Sequence, residues 1–123
     1  MGGEEGHVVT SIHGVTIDCL DSGPVAAFWM AALRYEVAER HDDWIQLRDP
    51  RGEGPLLSID PVPEAKVVKN RVHLDLRPAE SMETEVTRLE ALGGHRVRVV
   101  DNEGRIHTVM TDPEGNEFCV IQP

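Results

Sequence analysis

Between residues 13 and 19 apolar and polar side chains alternate: Val15, Ile17 and Cys19 against Gly14, Thr16 and Asp18. A period of two is that of a strand with one buried face. Asp21-Ser22-Gly23-Pro24 then opens a helix. Ser22 is a natural N-cap, and Pro24 fits the first turn, where its missing N–H costs nothing. Val25, Phe28, Trp29, Ala32 and Leu33 share one helical face. Strands are predicted over 35–38, 44–47 and 56–59, the last two separated by the turn-rich 49–54.

Pro61 and Pro63 have no N–H to donate, so 60–64 is not expected to form a regular central strand and reads as the start of a linker. After residue 69 the order repeats. Val72, Leu74 and Leu76 alternate with His73, Asp75 and Arg77 as a strand. A helix is predicted over 81–92, with Met82, Val86, Leu89 and Leu92 as its stripe, stopped by Gly93-Gly94. Strands follow over 97–100, 106–110 and 117–121, and Asp112-Pro113-Glu114-Gly115 fits a type I turn. Each half thus reads βαβββ. The expected fold is α+β: two such modules form a curved mixed sheet with helices outside and a central cleft. The predicted divisions are a flexible tail over 1–8, module one over 9–62, a linker over 63–69 and module two over 70–123.

With 123 residues, 40% of them hydrophobic, the chain suits one domain with one core. The formal net charge of −10 repels phosphate backbones and argues against nucleic acid. It serves solubility, and it also favours a cationic ligand. No apolar run is long enough to span a membrane, and the N-terminus has neither the basic nor the apolar region of a secretory signal. The expected location is the cytoplasm, with Cys19 and Cys119 reduced there.

Three strings carry a family resemblance. Residues 28–37, FWMAALRYEV, are similar to the segment that ends the first helix of glyoxalase-like proteins, with Arg34 where that family usually has glycine. Residues 70–76, NRVHLDL, resemble the opening strand of a second module, and 111–118, TDPEGNEF, a closing turn and strand. Together they resemble the glyoxalase/bleomycin-resistance group of the vicinal oxygen chelate superfamily. The resemblance implies a small-molecule cleft under the curved sheet and a homodimer. It also implies metal ligands on the first and last strands of each module. The matching positions here are Gly14 or Thr16, Ser58, His73 and Cys119, with Glu117 two residues from Cys119 on the same face. That is a poor donor set, so no metal is expected. A divalent ion, if held, would use His73, Glu117 and Cys119.

Alternation also assigns faces. Val72, Leu74, Leu76, Phe118 and Val120 should meet the helices, which leaves His73, Asp75, Glu117 and Cys119 in one cavity. In module one, Thr16, Asp18 and Ser58 should face inward. His73 is the candidate catalytic residue. Asp75 either raises its pKa and holds it as a base, or pairs with Arg77 or another arginine. Thr16, Asp18, Trp44, Ser58, Glu117 and Cys119 are candidate ligand-binding residues. For Trp44, stacking on a ligand and plain edge packing are equally open. Cys119 reads more readily as an inert small hydrophobe than as a reactive thiol. His7, His13, His41, His95 and His107 lack ligand spacing and are assigned to the surface or to strand edges. The leading functional reading is a metal-independent small-molecule-binding protein. The alternative is a lyase, isomerase or epimerase for a small substrate with adjacent oxygens, using His73 as base or metal ligand. A vestigial pocket on a structural domain is the blandest reading.

Overall fold

The computed structural model describes residues 8–123; of the tail expected over 1–8, all but Val8 lies outside them. The first module is β1 (Gly14–Cys19), α1 (Ser22–Leu33), β2 (Glu36–His41), β3 (Trp44–Arg48) and β4 (Leu56–Pro61). The second is β5 (Leu74–Leu76), α2 (Met82–Ala91), β6 (His95–Asn102), β7 (Arg105–Thr111) and β8 (Glu117–Ile121). Each module forms a four-stranded mixed sheet, ordered β1-β4-β3-β2 and β5-β8-β7-β6. In each, the first strand lies parallel to the last, as a strand–helix crossover requires, and the other pairs are antiparallel. The free edges of β1 and β5 are where the two sheets end.

One core serves both modules. Val25, Phe28 and Trp29 of α1, Leu57 and Ile59 of β4, Val86 and Leu89 of α2, and Phe118 and Val120 of β8 are buried in a single cluster. Trp29 and Phe118 meet edge-on at 5.1 Å between ring centroids, a contact between a helix of one module and a strand of the other. The helices are also tied directly: Arg88 of α2 donates to the carbonyls of Ala31 and Ala32 at 3.2 and 2.7 Å. Those carbonyls lack helical partners at the end of α1, so the guanidinium serves as a C-cap from the other module. The helix turns out through Arg34 in the left-handed conformation (φ 57°), which ordinarily favours glycine.

Several boundaries differ from expectation. The N-cap of α1 is Asp21, and Ser22 is its first helical, buried residue. Strand β4 runs on to Pro61, which pairs with Cys19 at the strand's end, and Val62 rather than Pro61 donates to the Cys19 carbonyl. A proline that closes a strand loses no ladder bond. The largest correction concerns Val72. Alternation puts it on the helix-facing side of a strand, but it is 79% exposed. The strand begins only at Leu74, so alternation does not reach back to Val72, and residues 62–73 form an irregular segment.

Candidate functional site

A cleft of about 380 Å³ opens where the two modules meet. One wall is β1 from Val15 to Cys19; the other is the approach to β5 from Asn70 to Leu74. Trp29 and Phe118 reach it from the core, and Glu64, Lys66, Glu114 and Glu117 complete it. The cleft exists because β1 and β5 each use one edge for their own sheet and leave the other open. Thr16 and Asp18 are exposed on β1, as alternation requires, while Cys19 between the sheet and α1 is buried.

The acidic groups here differ in availability. The Glu114 carboxylate is fully engaged, accepting from the Leu20 and Asp21 backbone N–H groups at 2.7 and 2.8 Å. Glu117 accepts from Lys66 Nζ at 3.1 Å and from the Asn70 N–H at 2.9 Å. Burial alone would raise the Glu117 pKa, but these two donors outweigh it and hold the carboxyl below its usual range. Among the described residues, Asp18 and Glu64 have no such partners. Four carboxylates against Lys66 and Arg71 leave the lining two negative charges in excess.

Next to the cleft, on the face of β5 and β8 away from the helices, His73 Nδ1 lies 3.2 Å from Asp75 Oδ1 and 3.8 Å from Cys119 Sγ. Cys119 pairs with Asp75 across the parallel strands, so the two side chains share a face by register. Cys119 is 5% exposed yet stands outside the helix-side core, as the alternation of β8 requires. Burial first, and then the Asp75 carboxylate, push its thiol above the ordinary value, so it is a protonated, weak nucleophile near neutral pH. The structure therefore pairs Asp75 with His73 rather than with Arg77.

The expected site residues thus separate into groups. Thr16, Asp18, His73 and Glu117 line the cleft; Asp75 and Cys119 adjoin it through His73. Ser58 is buried in register with Thr16 but does not reach the cleft wall. Trp44 stacks on His41 at 5.6 Å across the β2–β3 hairpin, also away from the wall. Glu117 was named with His73 and Cys119 as the fallback metal set, but its bonds turn it toward the linker, and Asp75 takes its place among the clustered donors.

Sequence reasoning missed Asp112. It is fully buried and accepts from Trp29 Nε1 at 3.1 Å, from the Glu114 and Asn116 N–H groups at 2.9 and 3.0 Å, and from Asn116 Nδ2. It fixes the turn that carries Glu114 and Asn116 to the cleft. The turn motif was visible in sequence; the indole partner 83 residues away was not.

Two βαβββ modules joined over one core, with a cleft at their junction, define a protein of the glyoxalase, bleomycin-resistance and fosfomycin-resistance architecture. A family model described as a glyoxalase-like domain matches residues 14–121, and the chain belongs to that family. Among solved structures, it is similar to the fosfomycin resistance protein FosX from Listeria monocytogenes, an E126Q mutant complexed with Mn(II) and 1S,2S-dihydroxypropylphosphonic acid. That match has a TM-score of 0.74 at 12% identity over 93% of this chain and 90% of that one. FosX from Mesorhizobium loti superposes with a TM-score of 0.72 at 9% identity, covering 94% of each chain. A glyoxalase-related enzyme from Fulvimarina pelagi gives 0.70 at 18% identity over 92% of this chain and 88% of that one. At such identities the likeness shows the fold alone. No curated protein matches in sequence. Among the described residues no helix is long and apolar enough to cross a membrane.

The residues here do not fit a hard ion such as Mn(II). At the family-matched positions of module one stand Gly14, Thr16 and Ser58, which supply neither imidazole nor carboxylate. The module-two cluster includes a thiol, a poor ligand for manganese.

Proposed function

We propose that this chain is a small-molecule-binding protein that takes a ligand bearing a positive charge into the cleft between its modules, without help from a hard divalent ion. The observation that carries this reading is the cleft itself: about 380 Å³, apolar at its depth through Trp29 and Phe118, with an excess of carboxylates around it. That volume falls in the range of pockets that enclose small ligands. An apolar floor under unpaired Asp18 and Glu64 suits a flat or aliphatic body with a cationic group. His73 on the wall supplies a directional hydrogen bond. The reading includes a cytoplasmic homodimer. Buried, unbridged Cys19 and Cys119 support the first part. The second is supported by the exposed apolar side chains Val8, Val9, Ile12, Val67, Val68 and Val72, each more than 70% exposed, the kind of surface that a second copy covers.

A second reading, a lyase, isomerase or epimerase for a small substrate with adjacent oxygens, is favoured by one observation. Asp75 Oδ1 sits 3.2 Å from His73 Nδ1, close enough for the carboxylate to support a base at the imidazole. Calorimetric titration with paired cationic and anionic forms of small aromatic compounds tests the binding reading. The cationic member should bind, and Asp18→Asn and His73→Ala should each weaken it with the fold intact. Equal binding of both members would remove the charge argument. Turnover of a bound compound, lost in Asp75→Asn while its affinity is kept, would move the assignment to the enzyme.

A further inference from the structure

We propose that Glu117 is a positioning residue, whose carboxylate holds the irregular 62–73 segment in place as one wall of the cleft. The inference rests on reading the cleft as a small-molecule site. Glu64, Ala65, Lys66, Asn70, Arg71 and Val72 of that segment line the cleft. Yet no residue from 63 to 73 is buried, and none belongs to a helix or strand. A stretch with neither core contacts nor ladder bonds has little to hold it in one conformation. Its start is fixed by the Val62 N–H on the Cys19 carbonyl. Among the described residues, the hydrogen bonds that tie residues 63–72 to the rest of the fold both end on Glu117. Lys66 Nζ donates to its Oε2 at 3.1 Å, and the Asn70 N–H donates to its Oε1 at 2.9 Å.

The sheet suits Glu117 to this role. It opens β8 and pairs with Thr111 of β7, and the next residue, Phe118, is buried in the core. The backbone that carries the carboxylate is therefore rigid. On the other side the parallel ladder begins only with Leu74 and Phe118, one step further along. Glu117 thus stands just beyond the last β5 pair, where the chain approaching β5 bonds to its side chain instead of to the strand. The Lys66 and Glu117 side chains are only 21% and 18% exposed, so the pair is sheltered from the solvent that weakens most surface ion pairs. Lys66 offsets the charge of Glu117, which leaves Asp18 and Glu64 to attract a cationic ligand.

The first arm of the test needs no ligand. Amide hydrogen exchange of the full nitrogen-15-labelled chain should show the Asn70 amide protected. Glu117→Ala should speed its exchange by about tenfold or more, as loss of a hydrogen bond to a charged group implies. The slow amides of β7 and β8 should keep their rates, and trypsin should cut faster after Lys69 and Arg71. Lys66→Met changes only the exposed segment and should speed both processes by about threefold. Unchanged exchange at Asn70 in both variants, or exchange raised equally throughout the sheets, would overturn the proposal. The second arm is calorimetric titration with benzylammonium. Removing the Lys66 charge by itself favours a cation, whereas a disordered wall disfavours any ligand. Lys66→Met should therefore weaken binding by about twofold or more, and tighter binding would overturn the positioning role. If benzylammonium fails to bind the unaltered chain, the proposed function is contradicted, and the exchange arm still decides the role of Glu117.

Discussion

Replacing Asp112 with asparagine changes one atom and tests whether the two modules are locked through the Trp29 indole. Asp112 Oδ1 faces the Glu114 and Asn116 N–H groups, and Oδ2 faces Trp29 Nε1 and Asn116 Nδ2. All four are donors. An asparagine serves only one side with its oxygen, and its amide then opposes donors on the other, in a fully buried place. One buried donor left without a partner costs about 1–3 kcal/mol, so Asp112→Asn should lose roughly 2–3 kcal/mol. Trp29→Phe alone should also cost roughly 2–3 kcal/mol, from lost core volume and the lost bond. In the double variant one of the two donors on that side, the indole N–H, is gone, while Asn116 Nδ2 remains. The two losses should therefore fall short of additivity by about 1–2 kcal/mol. Urea unfolding followed by far-ultraviolet circular dichroism measures this without relying on the indole's fluorescence. Additivity within ~0.5 kcal/mol would refute a direct coupling and leave Asp112 as a local turn residue.

Three further outcomes follow from single residues. Thr108 is fully buried and its hydroxyl has no partner among the described residues, so Thr108→Val should raise stability by about 0.5–1 kcal/mol; a loss above ~1 kcal/mol would show that the hydroxyl is bonded. Arg34 is left-handed at the end of α1, so Arg34→Gly should stabilise by about 0.5–1 kcal/mol in thermal unfolding, and a clear loss would contradict the strain argument. The Arg51 hydrogen bond, joined by the backbone N–H groups of residues 51, 53 and 54, holds the Asp49 pKa down to about 2 from 3.8. A carboxyl depressed on folding contributes stability above its unfolded value and loses it as pH falls toward the folded value. The urea midpoint should therefore drop between about pH 4 and pH 2, and that part of the drop should be missing in Asp49→Asn.

Much of this fold could be read from alternation and punctuation. Leu57 and Ile59, or Phe118 and Val120, bury because a period of two admits only one buried face, and Gly93-Gly94 ends α2 for a reason that is local. The assignment of Val72 failed because alternation cannot say where a strand begins, and His73 lies before its first ladder pair. Trp44 is placed by its position at a strand's start and Ser58 by alternation, but which strand edge borders the cleft is a tertiary fact. Glu117 shows the same limit. Its face was read correctly, but its partners Lys66 and Asn70 come from an irregular segment with no periodicity to read. Asp75 beside Cys119 follows from register, while His73 joins them from outside the ladder, and the cluster differs from the donor set read on family position.

The measurement that bears most directly on the central claim is amide chemical-shift mapping of the uniformly nitrogen-15-labelled chain during titration with a small cationic aromatic compound and its neutral isostere. The cationic compound should shift amides of β1, of the approach to β5 and of the Asp112–Asn116 turn, the isostere should shift them weakly, and Asp18→Asn should suppress the difference. Shifts confined to other surfaces, or equal response to both compounds, would contradict it.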